Sequence, residues 1–521
     1  MKIVFKNKKV SIKRILTFIL LFAILVFNTF QIVIFLKPRH ISDYQFFLKM
    51  NLDHSGLEAT KNAYLSGNMQ HARKNYVAYK DTTFFNNPHS LSPASDTTTA
   101  DLIVDHYFEY QDAGYQLDDE ISWDEQPSTD NEWTWFLNRH YWASDLASAY
   151  LATGNESYAR KFVSLFLDWY KDQPYGKNRE LCWRQKDTTR RIRNQINAYE
   201  VFKDSPWFTT DAKFTWFKFM WEQANFIRQE HLNEGNGAIM CVTALLRCRV
   251  LLPEMFDADP WERVAWDLAK DVTKDQLLPD GVHDELTTHY HNVVVDEHLD
   301  YLEILPINGY AIDPYMFSRI EDALNFTMDM VSVTGRTMTF NDADADNVSS
   351  MLTRGWEIYN RSDFLYVATN GTQGTVPSHN NTAYADAGFY MMRSGWEINS
   401  TFLMYDGGPP GSSHVHHDML SFALDAYGTN LLLDPGRGTY DETKPERDYL
   451  RSSRAHNLFM LDGVDLYDAE PDYNTWYDAP TMAFASAGHS FWNDAVSRHV
   501  LFPSGDKDYY VLLDHVSGGN H

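Results

Sequence analysis

Three histidines and an aspartate fall within five residues in the stretch Ser413-His414-Val415-His416-His417-Asp418. Imidazole changes protonation near neutral pH and binds transition metals, and a carboxylate can share the metal or orient the ring. The cluster therefore suits proton transfer, metal binding, or both, and grouped titratable residues are themselves a mark of a site. Read as extended chain, alternate residues share a face. That puts His414, His416 and Asp418 on one side and His417 on the other. A strand is predicted over 420–426, then a turn at Gly428, then Leu431-Leu432-Leu433 ending at Asp434-Pro435-Gly436. A polar strand end with backbone-bonded histidines is the plainer alternative, and the density of the cluster argues against it.

The elements that must position these residues lie mostly upstream. Trp142, Leu146, Ala149 and Tyr150 follow a helical period, and Tyr158, Phe162, Leu165, Phe166 and Trp169 form the next stripe after Gly154-Asn155. This is an αα-hairpin. Further helices are predicted over 188–202, 211–230, 237–252, 261–278, 284–304 and 315–333. Consecutive amphipathic helices with short connections predict a solenoid or toroid. After Gly335 the pattern changes. A Ser/Thr/Asn/Gly-rich stretch over 370–381 reads as an interdomain loop. Short strands are predicted over 389–393, 400–405, 430–433, 457–461 and 509–513, with turns at Gly407-Gly408-Pro409-Pro410-Gly411 and Asp462-Gly463. Such strands indicate an antiparallel sandwich. So few are legible that the sandwich is expected to be incomplete, the chain a truncated product or fragment.

Composition narrows the partners. At 521 residues the chain suggests two or three domains. A net charge of −26 opposes nucleic-acid binding, which needs a basic footprint. It also denies long-range attraction to any anionic polymer, so such a substrate needs a local basic groove. Arg184, Arg190, Arg191 and Arg193 are candidates for it, a solvated helix face being the alternative. Three cysteines make no disulfide framework. Lys2, Lys6, Lys8, Lys9, Lys13 and Arg14 precede an uncharged apolar run from Ile15 to Leu36. A run of about 20 apolar residues spans a bilayer, with its basic flank cytoplasmic. A retained membrane anchor is expected, with the remainder outside the cytoplasm. A cleaved signal, giving a secreted protein, is the competing reading.

Taken together, His414-x-His416-x-Asp418, Leu420-Ser421-Phe422, Gly428, Asp434-Pro435-Gly436, Arg454-Ala455-His456-Asn457 and Asp462-Gly463 resemble the heparinase II/III-like family of polysaccharide lyases. The resemblance covers roughly 133–521. It implies a multidomain α+β protein, an incomplete (α/α) toroid followed by an antiparallel β-sandwich, the order read above from the residues alone. The expected layout is a basic flank over 1–14, an anchor over 15–36, a helical lead-in over 37–99, the toroid over 100–345, an interdomain segment over 346–385 and an incomplete sandwich over 386–521. The family includes lyases for heparin, heparan sulfate and alginate. Asp280-Gly281, Glu285 and Tyr290-His291 look like the segment that carries the catalytic tyrosine, Tyr290. Glu234-Gly235-Asn236-Gly237 looks like the segment whose asparagine, Asn236, binds the substrate carboxylate. Some alginate-type members have histidine after this asparagine, and here Gly237 stands instead, which weakens an alginate assignment. In some members a zinc is held by two histidines and an aspartate, which match His416, Asp434 and His456.

The implied reaction is β-elimination beside a uronic acid in an anionic polysaccharide. It requires neutralising the carboxylate, removing H5 and protonating the leaving O4. Asn236 serves the first, His414 is the candidate base or charge neutraliser, and Tyr290 the candidate acid, or acid and base together. The Tyr290 phenol has a reference pKa of about 10, which a cationic or carboxylate-binding neighbourhood would lower. Glu285, His291 and Arg191 are candidates for substrate binding, with orienting or structural roles as the alternatives for Glu285 and His291, and a helix cap for Asn236. Zinc is expected to be structural. A non-catalytic glycan-binding or envelope assembly protein on the same fold is the alternative function.

Overall fold

The computed structural model describes residues 39–518, apart from 112, 128–130, 441, 468, 493 and 504–508. The expected anchor over 15–36 and its basic flank lie outside the described residues. Among those described, no helix is long and apolar enough to cross a membrane. The chain divides into two compact units, residues up to 79 with 91–226, and residues 80–90 with 227 onward.

The first unit is helical around an aromatic core. Gly154 ends the helix Tyr141–Thr153 in the left-handed region (φ 67°), and Asn155 caps the next, Glu156–Asp172, accepting from the Ser157 amide at 3.0 Å. This pair thus makes the αα-hairpin, since glycine tolerates positive φ and asparagine satisfies an orphan amide. Trp123, Trp133, Trp142, Trp169, Trp183 and Trp216 are all buried. A hairpin of β1 (Tyr107–Tyr110) and β2 (Ala113–Gln116) lies on this unit.

The second unit carries helices Asn236–Leu251, Ala258–Gln276, Thr288–Ile307 and Pro314–Asp329, then two antiparallel sheets. One is β3 (Asn381–Tyr384), β4 (Phe389–Arg393), β5 (Thr401–Asp406), β6 (Phe422–Ala426) and β7 (Thr429–Leu432), in that order. The other is β8 (Tyr473–Ala479), β9 (Met482–His489), β10 (Ala495–Pro503) and β11 (Val511–Ser517), also in order. β4 and β5 are buried on both faces. On one face Tyr390, Met392, Leu403 and Tyr405 pack on Ala483, Ala485, Ala487 and Val500 of the second sheet. On the other, Phe389, Met391, Phe402 and Met404 pack on Leu286, Phe326, Met330 and Phe340. The later helices and the sheets therefore share one core, which puts the border between units near 226 and not in 346–385. That segment is also not merely a linker, since it holds helices Ser349–Tyr359 and Ser362–Ala368.

Two local expectations fail. Residues 457–461 form no strand: Asn457 donates to the carbonyls of Phe422 (2.9 Å) and Leu433 (3.0 Å), and Arg498 takes the Asn457 carbonyl. The stretch 412–421 is a loop with His414 and Leu420 at positive φ (58° and 70°), so strand alternation does not set its side chains.

Candidate active site

Glycine places the loop. A Cβ on Gly411 would lie 2.0 Å from the Glu285 carbonyl oxygen, so only glycine lets the 407–411 turn settle there. The Ser412 amide then donates to the Asp284 carbonyl at 3.0 Å. This lays His414 beside the start of helix Thr288–Ile307, whose first turn carries Tyr290.

The Tyr290 and His414 rings stack with centroids 4.1 Å apart and planes 20° apart. The His414 Nδ1–H donates to Glu285 Oε2 at 2.8 Å. Among the described residues its Nε2 has no protein partner, and the side chain is 27% exposed. Tyr290 Oη is 2.7 Å from Tyr440 Oη. Burial, then the Tyr440 hydrogen bond, push the Tyr290 phenol above its ordinary pKa, against the nearby Arg437 guanidinium, which pulls it down. The neighbourhood therefore does not lower it: one cation, itself bonded to Asp344 (3.0 Å), does not offset the loss of water. Tyr290 is protonated at neutral pH. The arrangement brings together a loaded phenol and an imidazole held by a carboxylate.

Asn236 is the first residue of helix Asn236–Leu251, and the cap is Gly235. The Asn236 amide therefore does not cap the helix, and it has no protein partner among the described residues. It is half-buried at the positive end of a helix that packs against the Tyr290 helix.

Next to His414, a second cluster is fully buried. His416 Nε2–H donates to Asp342 at 2.9 Å, which turns Nδ1 toward His456 Nε2 at 3.2 Å. His456 Nδ1–H donates to the Ser452 carbonyl at 2.8 Å, so its Nε2 carries the lone pair. Asp434 Oδ2 lies 3.5 Å and Asp418 Oδ2 3.9 Å from that nitrogen. Both carboxylate oxygens are buried without a hydrogen bond. The ligand atoms of His416, Asp418 and His456 lie within 4.8 Å of one another, and two imidazole lone pairs with a carboxylate oxygen suit a divalent cation. His416 and His456 are brought together and Asp418 completes their group, whereas Asp434, expected as the carboxylate, lies 3.5 Å from His456 Nε2 but outside that group. Asp342 is gripped in turn by both Arg447 Nη atoms. Burial would raise the Asp342 pKa, but Arg447 and His416 more than offset it and hold it down to about 2.

Two expected substrate contacts are not at the surface. Arg191 is fully buried, donating to Gln223 Oε1 (2.8 Å), the Asn138 carbonyl (2.6 Å) and Thr188 Oγ1 (2.9 Å), with Trp169 against its guanidinium. It braces the core of the first unit. His291 is also fully buried, with Nε2 on the Ala323 carbonyl at 3.0 Å, and burial pushes its pKa down to about 3. Glu285 is buried and orients His414. Tyr440, Arg437, Asp342 and Arg447 were not singled out by sequence.

Family models match along both parts of the chain, heparinase II/III N-terminus over residues 46–365 and heparinase II/III-like C-terminal over 376–492. A heparin-sulfate lyase of Pedobacter heparinus is 28% identical over 498 residues, 90% of this chain and 75% of the relative. One from Bacteroides stercoris is 25% identical, over 91% of this chain and 76% of the relative. Among solved structures, a heparinase III superposes with a TM-score of 0.80 at 22% identity, covering 92% of this chain and 80% of that one. The heparan sulfate lyase of Pedobacter heparinus gives 0.73 at 25% identity, covering 91% and 78%. With matching models along both its helical and its sheet regions, the chain belongs to the heparinase II/III family.

Proposed function

We propose that the Tyr290–His414 site cleaves a heparan-sulfate-like polysaccharide by β-elimination. Family membership and the heparin-sulfate lyase relatives make the chain a polysaccharide lyase. The observation that carries the site assignment is the stack of Tyr290 on a His414 whose Nδ1 is held by Glu285.

The steps follow from the groups present. The Asn236 amide donates to the uronate carboxylate, so negative charge developing on it during C5–H cleavage meets a fixed dipole. His414 Nε2, kept in the accepting tautomer by Glu285, removes H5. The C5–H electron pair forms the C4=C5 double bond as the C4–O4 bond breaks. Tyr290 gives its proton to the leaving O4 and regains one through Tyr440, which faces solvent. Its raised pKa keeps it loaded, and an alkoxide leaving group is more basic still. Arg437, beside Tyr440, is the cation nearest this chemistry and suits a sulfate or carboxylate of the polymer.

For the buried cluster we infer a structural zinc on His416, Asp434, His456 and Asp418. Bound there it would tie the histidine loop to the segments carrying Asp434 and His456. The fold reading extends to an incomplete (α/α) toroid before the sandwich, supported by the heparinase III likeness. Membrane anchoring through 15–36, with the enzyme outside the cytoplasm, rests on the basic flank and apolar run.

Ultraviolet absorbance of the conjugated unsaturated uronate, followed on heparan sulfate, heparin, alginate and other uronates, tests the activity. Signal on heparan sulfate above alginate is expected. Silence on every polymer would leave a glycan-binding protein.

A further inference from the structure

The first compact unit holds a cavity of about 360 Å³ unconnected with any residue of the elimination chemistry. Helix Thr98–Val104, strand β1 and Asp145 of helix Tyr141–Thr153 wall it, with Tyr107, Phe108, Tyr110 and Glu109 among the lining residues. That volume lies within the range of about 300–1,000 Å³ common for small-molecule sites.

Asp145 is the unusual group. Burial raises its carboxyl to about 6, with no other influence on it. Among the described residues neither a hydrogen bond nor an opposite charge compensates it. The side chain is half-buried and lines the cavity, so its carboxylate is open to a partner from solvent. No Lys, Arg or His lines the cavity among the described residues. Tyr107 and Tyr110 add aromatic surface, which attracts cations through the ring quadrupole. Gly114 makes room for it, since a Cβ there would lie 1.9 Å from Tyr107 Oη. Glu109 adds a second negative charge at an exposed position. Such a lining repels sulfate and carboxylate and favours a compact organic cation.

We propose that this cavity binds a primary ammonium group, with Asp145 as its ion-pair partner and the tyrosines as its walls. The ammonium can belong to a free aliphatic amine or to an amino sugar bearing an unsubstituted nitrogen.

The test is thermal unfolding and titration calorimetry of the full chain, at a pH above the raised Asp145 value. The ligands are putrescine, glucosamine, N-acetylglucosamine and calcium. A saturable rise in midpoint with putrescine or glucosamine, absent with N-acetylglucosamine and lost in Asp145→Asn, is expected. Whichever amine binds more tightly identifies the source. Equal binding of N-acetylglucosamine, equal stabilisation by calcium, retention in Asp145→Asn, or no saturable binding overturns the proposal. The unliganded Asp145→Asn protein should melt at the same temperature or higher, because an uncompensated charge has been removed. A lower midpoint would mean Asp145 already has a structural partner, and would also overturn it.

Discussion

The hydroxyls of Tyr290 and Tyr440 lie 2.7 Å apart, across 150 residues of sequence. One sits in the first turn of a helix, the other on the loop after Asp434-Pro435-Gly436. The pairing matters because it is one of the forces that keep Tyr290 protonated. It also links a partly buried acid to a 42% exposed phenol, a route for its proton to return.

Removing either hydroxyl therefore has different consequences. Tyr290→Phe removes the acid and should cost at least about 100-fold in kcat, with the fold intact. Tyr440→Phe leaves the acid but weakens its hold on the proton. The alkaline limb of the pH–rate profile should move to lower pH, with a smaller loss of kcat. An unchanged rate in Tyr290→Phe would remove that residue from the mechanism.

Glu285 is a positioning residue, acting through His414. Glu285→Gln keeps an oxygen near Nδ1 but loses the charge. A charge-assisted hydrogen bond is worth about 1.5–3 kcal/mol, so kcat should fall roughly ten- to hundredfold. KM and metal content should stay near wild type. A rise in KM alone would place Glu285 on the substrate instead.

The helices and their order were legible because apolar stripes at helical spacing are long signals. The strand β4 was legible to the residue, and β9 was not. β9 reads Met-Ala-Phe-Ala-Ser-Ala-Gly-His, and alanine is a weak strand former. Ala483, Ala485 and Ala487 are small because Tyr390 and Tyr405 of the facing sheet need the space. At the site, the types and grouping of His414, His416, His417 and Asp418 pointed to chemistry, and Asp434 and His456 were added only by the family resemblance. Their directions did not follow from alternation, because His414 adopts a left-handed turn. Arg191 misled for a physical reason: burial of a guanidinium depends on partners such as Gln223 and the Asn138 carbonyl, which sequence does not reveal.

Asp145 predicts a pH dependence of stability. Its folded pKa, raised to about 6, exceeds the unfolded value of about 3.9. Between these values the folded state holds more protons. The stabilisation is full below the unfolded pKa and is lost as pH rises through about 6. Its size is at most about 3 kcal/mol. Tyr110, whose phenol burial pushes well above its ordinary value, stays neutral in that window. Urea midpoints of wild type minus Asp145→Asn should fall across it. A flat difference would show that the carboxyl is solvated.

Zinc separates the two histidines. His416 Nδ1 points into the buried cluster, while His414 Nδ1 points to Glu285. Elemental analysis should therefore find stoichiometric zinc in wild type and in His414→Ala, with activity lost only in the latter. His416→Ala should lose both the metal and thermal stability. Asp342→Asn is the finer probe. It weakens the grip on His416 Nε2 without touching a ligand, and outer partners of this kind typically govern about 10–100-fold in metal affinity. Zinc should then be stripped at lower chelator concentration than from wild type. Asp342→Asn also loosens Arg447, so stability alone would not discriminate, but Arg447→Gln should reproduce the stability loss with less change in chelator sensitivity. If both variants released zinc alike, the ion pair rather than the imidazole hydrogen bond would be holding the cluster together.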